Sequence, residues 1–167
     1  MHRNKRRQKI TGTGSHGKAV VRGIVERDGE ARMAVVPNTK RSTLRPHIDA
    51  HVVVRSAIVT DAHQSYCGLD ADFVHGVVDH AIAYVDGRVH TNGLENFWSL
   101  FKRCIHGTWV GIEPFHLHRC LDEQTWRFNA RKVDDGERFI KAVGGIGNGP
   151  LPYKRLIGEA PLEGHSP

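Results

Sequence analysis

No stretch of the chain comes close to the ~18 consecutive apolar residues that a membrane helix needs, so no span is expected. Cysteine is scarce. Cys67, Cys104 and Cys120 are odd in number and far apart, which excludes a disulfide framework and a zinc knuckle and fits a reducing, cytoplasmic setting. The basic N-terminus has no apolar run behind it, which excludes a secretory signal. Gly12-Thr13-Gly14 follows no strand and precedes no Gly-Lys-Ser/Thr, so it is not a phosphate-binding loop. No internal repeat is present. What remains is a 167-residue chain with 39% hydrophobic and 25% charged residues, which suits one soluble globular domain with a real core.

The net charge of +6 is unevenly placed. Arg3, Lys5, Arg6, Arg7 and Lys9 contribute five positive charges before residue 10 and leave +1 for everything after. Residues 1–16 therefore read as a basic, disordered arm rich in Gly, Thr and Ser beyond its charges. Such an arm suits nucleic-acid phosphates, with salt-sensitive and sequence-independent contact, and it equally suits a solvated tail.

Beyond the arm, Lys18 to Glu26 is a β-branched strand, Asp28-Gly29 a hairpin signal, and Ala31 to Val36 a second strand ended by Pro37-Asn38. Ser42 is placed to cap a helix with Leu44, Ile48 and Val52 on one face and Pro46 near its first turn. The run 56–61, Ser-Ala-Ile-Val-Thr-Asp, predicts a buried central strand with Asp61 at its C-terminal edge. A short helix or turn over Gln64 to Leu69 and a strand near Phe73 to Val78 follow. Residues 79–91 read as a loop with an Asp86-Gly87 turn. Thr91 is placed to cap the next helix and Gly107 to end it. Glu113-Pro114 opens a helix reaching about Arg131, with Leu117, Cys120, Leu121 and Phe128 on one face and Arg119, Glu123, Arg127 and Arg131 along another. A short helix over Asp135 to Val143 precedes a Gly/Pro-rich tail over 144–167. The order describes an α/β layer with an antiparallel hairpin beside at least one buried strand.

Two of these elements carry candidate chemistry. Read at helical period, Leu94, Phe97, Trp98, Phe101 and Ile105 share one face of the segment 90–103. Asn92, Glu95, Asn96, Ser99, Lys102 and Arg103 fall on the other. Asp61 stands where open α/β sheets place ligands and catalytic groups, although a turn aspartate also suits that position. Glu95 alone reads as a solvated residue. Together, a strand-end carboxylate and a helix carboxylate can hold Mg²⁺, with Asn92 offering an amide oxygen as an alternative ligand and Lys102 gripping a phosphate. Two such ions ~4 Å apart stabilise the attacking and leaving oxygens of phosphoryl transfer on DNA. The twelve histidines lack zinc-motif context; His47 and His51, four apart on a helix, make at most a two-ligand face, and surface or satisfied core histidines are the default.

These residues also resemble a known family. Thr60-Asp-Ala-His-Gln-Ser-Tyr66, the word from His90 to Arg103 and His106-Gly-Thr-Trp109 are similar to bacterial insertion-sequence DDE transposases of the ISXO type. So are the segments 116–131 and 151–156, and the likeness runs from about Gly17 to Leu156. The resemblance implies a ribonuclease H-like mixed sheet flanked by helices over 17–143, and a DNA-cutting and strand-joining activity that uses Mg²⁺ or Mn²⁺. It implies Asp61, Asn92, Glu95 and Lys102 as catalytic residues, with Asp61 and either Asn92 or Glu95 on the metal. Glu123, Arg127 and Arg131 match a charged signature that contacts DNA or braces the core. With Arg103 and the arm residues Arg3, Lys5, Arg6, Arg7 and Lys9, Arg127 and Arg131 form the expected DNA-binding set. The implied partner is transposon-end DNA, and the implied setting is the bacterial cytoplasm at the nucleoid.

One departure shapes the expectation. In this family the first catalytic aspartate lies on a strand just upstream of the basic linker at which this sequence begins. The expectation is therefore a truncated core, with its first strand missing and catalysis incomplete without it. The unpaired sheet edge left behind would invite another chain, including a homo-oligomer. Two alternatives stay open: a non-catalytic DNA-binding remnant, and a small ribonuclease H-like nuclease taking a third carboxylate from Asp79 or Asp86.

Overall fold

The structure, a computed structural model, describes residues 18–78, 92–109, 112–148 and 152–159. Two compact units are present, residues 1–128 and 129–167.

In the first unit, β1 (Val20–Val25) and β2 (Ala31–Val36) pair antiparallel from Val20 opposite Val36 to Val25 opposite Ala31. The expected hairpin is present, and its turn differs in detail. The Glu26 N–H donates to Glu30 O and the Gly29 N–H to Glu26 O, and Asp28 rather than Gly29 takes the left-handed backbone, at φ 57°. Aspartate tolerates that region better than most residues.

Helix α1 (Arg41–His51) is capped differently from the expectation. Lys40 is its N-cap, and Asn38 Oδ1 accepts from the Lys40 N–H (2.9 Å) and the Thr43 hydroxyl (2.8 Å), so Ser42 lies inside the helix. Pro46 falls in the second turn, not the first, where it lacks the N–H that would pair with the Ser42 carbonyl. Arg45 ties α1 to the segment before β4. It donates to Asp49 (2.8 Å), to Gly68 O (3.3 Å) and to Asp72, with its guanidinium 5.5 Å from the Phe73 ring centre. Gly68 sits there at φ +81°, where a Cβ would come within 2.8 Å of Arg41 Nη2.

Strand β3 (Ala57–Asp61) pairs in parallel with β4 (Val74–Val78), Asp61 lying opposite Val78. Between them 3₁₀ turns cover Gln64–Tyr66 and Leu69–Ala71. The buried central strand expected at 56–61 is only partly buried, because among the described residues it has a single neighbour, β4. Where one mixed sheet was expected, the described strands form two separate pairs.

Helix α2 (Asn92–Gly107) matches the expected register and ends at Gly107. Phe97 and Phe101 are buried, while Asn92, Glu95, Asn96, Ser99, Lys102 and Arg103 are all exposed. A 3₁₀ turn over Pro114–His116 leads into α3 (Leu117–Asn129). Ala31, Phe97, Phe101, Leu121 and Phe128 form one core cluster, with Val21, Val25 and Met33 packed on it from the hairpin. Phe97, with no exposed surface, meets Trp98 and Phe128 edge-on at 5.3 and 5.6 Å and lies against Phe101 at 6.1 Å. A second cluster, Ile48, Leu69 and Phe73, collects Ile24 from β1 and Ile58 from β3.

In the second unit a 3₁₀ turn over Ala130–Lys132 precedes α4 (Asp135–Gly144). Asp134 Oδ1 accepts from the Glu137 N–H at 2.8 Å and caps α4. The tail expected to be irregular holds a 3₁₀ turn at Gly145–Asn148 and a short helix α5 (Tyr153–Leu156). The basic arm, the loop at 79–91 and the cap proposed at Thr91 lie outside the described residues.

Truncating Phe97 removes the ring on which hairpin, α2 and α3 meet. Phe97→Ala is expected to cost about 3–5 kcal/mol in chemical denaturation. Phe139→Ala, at a 69% exposed position on α4, is expected to change stability by less than about 0.5 kcal/mol.

Candidate functional site at the carboxyl end of β3

Asp61 closes β3 with its side chain exposed, and Oδ1 accepts a long hydrogen bond from the His63 N–H at 3.4 Å. The chain then turns sharply. His63 Nδ1 accepts from the Ser65 N–H at 3.2 Å, and the Ser65 hydroxyl donates to Thr39 O, pinning the turn to the entrance of α1. This turn walls a cavity of about 390 Å³ lined by Asp61, Ala62, His63, Tyr66, Cys67, Gly68, Asp70, His75 and Val77. Thr60 Oγ1 lies 2.8 Å from His75 Nε2, joining β3 to β4 on that wall.

Burial pushes the Tyr66 phenol above its ordinary pKa, and the neighbouring Asp61 charge adds to the rise. A phenoxide here would be both poorly hydrated and close to a carboxylate. Tyr66 therefore stays a neutral hydrogen-bonding group across the physiological range. His63, Tyr66, Asp70 and His75 were not singled out as partners of Asp61 from sequence. The parallel register, which pairs Ile58 with His75 and Thr60 with Val77, is what gathers them.

The first turn of α2 lies over β1: a Cβ on Gly23 would fall 2.7 Å from Leu94 Cδ1, and one on Gly93 would meet Val25 Cγ1 at 3.5 Å. Asn92, Glu95, Lys102 and Arg103 stand on the exposed side of this helix. Glu95 and Lys102 are two turns apart, about 10 Å along the axis. On α3, Arg127 donates through Nε and Nη2 to Glu123 Oε1 (3.0 and 2.8 Å). Arg131 is exposed. Arg3, Lys5, Arg6, Arg7 and Lys9 lie outside the described residues, as do Asp79 and Asp86.

A hard divalent cation needs several convergent oxygen ligands. Asp61 and Asp70 line the same cavity, but among the described residues no group of three or more His, Cys, Asp or Glu side chains is placed to hold a metal. The described residues thus do not fit a closed metal site, and Asp61, Asn92 and Glu95 supply at most parts of one. His47 and His51 both lie on α1, and His51 Nδ1 is 2.7 Å from His47 O within the helix. No described helix is long and apolar enough to cross a membrane.

The structure is that of a mixed α/β domain with an acidic strand end beside a cavity and a polar helix face over the neighbouring hairpin. The family model of the ISXO2-like transposase domain matches residues 1–129, and the chain belongs to that family. Membership makes it a DDE-type transposase protein of insertion sequences, a class that acts on DNA and generally uses divalent metal. No curated protein and no solved structure matches the chain significantly.

The environment of Tyr66 yields a measurable sign. Its raised folded pKa contributes stability that is fully present below the ordinary value of 10.0 and is lost as the pH rises from there through the folded value. In an ultraviolet titration with Tyr66→Phe as the blank, Asp61→Asn is expected to lower the Tyr66 pKa yet leave it above 10.0, because burial is the larger cause.

Proposed function

We propose that this chain is the catalytic-domain portion of a DDE transposase, built for cleavage and transfer of DNA strands, and that by itself it binds DNA without cutting it. The observation that carries this reading is the position of Asp61, exposed at the carboxyl end of β3 beside a cavity, in a chain of this family. In the proposal Asp61 is the acid that would engage a metal ion, with Glu95 or Asn92 the third-position ligand. Lys102 and Arg103 grip substrate phosphate from the same helix. The family's ion would activate the attacking oxygen and neutralise charge on the leaving one. The described residues do not close a site around that ion.

The residues that act without metal are the cationic ones. Lys102 and Arg103 are exposed on α2 and can meet adjacent phosphates, Arg as a fork and Lys as a point charge. The arm residues Arg3, Lys5, Arg6, Arg7 and Lys9 add an unspecific term that does not depend on sequence. The parallel β3–β4 pair and the antiparallel hairpin of the described residues are read here as parts of a ribonuclease H-like architecture. The core is taken as 17–143, the arm as 1–16 and the tail as 144–167.

Two measurements test the reading. The intact chain is expected to leave supercoiled plasmid un-nicked in Mn²⁺ or Mg²⁺; metal-dependent nicking abolished by Asp61→Ala would establish a complete active site and overturn the proposed inactivity. Binding to duplex DNA is expected to weaken steeply with salt. Replacing all five arm cations by Gln should flatten the slope of log K against log[salt] by about 4.5 if each meets one phosphate. An unchanged slope would remove the arm from the interface.

A further inference from the structure

The cavity at the carboxyl end of β3 has a lining whose chemistry is narrower than its size. Tyr66 and His75 are half-buried in it, while Asp61, His63 and Asp70 are exposed around it. The Tyr66 and His63 rings meet edge-on with 6.2 Å between centres, so two aromatic groups stand together on one side. The tautomer of His75 follows from a single proton. The Thr60 hydroxyl donates to Asp61 O at 2.9 Å and lies 2.8 Å from His75 Nε2. A hydroxyl has one hydrogen, so with that hydrogen on the carbonyl the Thr60 oxygen accepts and His75 Nε2 carries the proton. In the neutral ring Nδ1 is then left as the acceptor.

The lining is thus rich in acceptors. Asp61, Asp70 and His75 Nδ1 accept, the Tyr66 hydroxyl can donate, and no Lys or Arg is among the described residues around the cavity. Two carboxylates without a cation repel a bare phosphate. They suit a neutral, flat molecule with N–H donors on its edge, and about 390 Å³ is room enough for one. Among the parts of a DNA strand only the bases are neutral and flat, and cytosine and adenine present an exocyclic amine where thymine presents a carbonyl. A strand with a phosphate at Asp61 has the adjoining base one deoxyribose away, within reach of the cavity that Asp61 borders.

We propose that this cavity is a subsite for one unpaired, amine-bearing nucleobase, cytosine or adenine, of a bound DNA strand. The base lies against Tyr66, and Asp70 and His75 Nδ1 take the hydrogens of its amine. A base that turns a carbonyl to the same place is rejected, because that oxygen would face a carboxylate and an unprotonated ring nitrogen. The choice of DNA rests on the reading given above, whereas the preference for an amine rests on the lining alone.

Single-stranded oligonucleotides of equal length, all deoxycytidine or all deoxyuridine, carry the same phosphates and differ only at the base edge. The full chain is expected to bind the first about tenfold more tightly. Asp70→Asn should bring that ratio to about one, because an amide can turn its NH₂ toward a carbonyl. Tyr66→Ala should weaken binding of the deoxycytidine strand about tenfold, and Tyr66→Phe, which keeps the ring, should retain most of it. The free nucleosides report on the cavity without any phosphate. Millimolar deoxycytidine is expected to move the NMR signals of the Tyr66 and His75 rings, and deoxyuridine to leave them in place. Equal affinity for the two strands with unmoved ring signals overturns the subsite and leaves DNA binding standing. A preference that survives Asp70→Asn overturns it as well. Ring signals that answer to deoxycytidine when neither strand binds support the pocket and sink the DNA reading instead.

Discussion

The first unit depends on edge-to-face aromatic packing at Phe97. Its ring has no exposed surface and meets Trp98, Phe101 and Phe128, so one side chain of α2 holds α3, and through the same cluster the hairpin. Because those contacts fix the rotation of α2, they also fix which residues it turns outward. Asn92, Glu95, Lys102 and Arg103 are exposed for the same reason that Phe97 and Phe101 are not. In this domain the polar face proposed for DNA is the complement of the core.

A second constraint acts around α1. Arg45 engages Asp72 across the chain and Asp49 on its own helix, which holds its guanidinium more firmly protonated than usual. Its reach to Gly68 O fastens the segment that carries Leu69 and Phe73 into the second cluster. The turn after Asp61 is thus braced from two directions, by Ser65 on Thr39 O and by the anchored Gly68 to Phe73 segment. A cavity wall held in this way keeps Asp61, Tyr66 and His75 together without a bond between the carboxylate and either ring.

What could be read in advance tracks how local each feature is. The α2 face was legible because five apolar residues repeat at helical spacing, and β2 because its β-branched run ends in Pro37-Asn38. The cap of α1 was misassigned because Asn38 reaches the Lys40 N–H from two residues upstream, a contact that a search starting at the helix itself overlooks. The helical turns after Gly144 were missed because glycine and proline content masks short structure. At the site, Asp61 was found by its place after an apolar run, whereas His63, Tyr66, Asp70 and His75 gather only through the pairing of β3 with β4 and the turn between them. No periodicity within either segment encodes that gathering. The separation of the strands into two pairs is likewise a property of non-local hydrogen bonding, visible only once both ladders are assigned.

The ion pair on α3 has a further consequence. Arg127 directs both Nε and Nη2 at one oxygen of Glu123, a turn away on the same helix. That carboxylate engages two of the five N–H donors of an exposed guanidinium, so an anion meeting Arg127 would find part of its fork already held. Glu123 is thereby an internal competitor, present at a fixed effective concentration that dilution cannot lower.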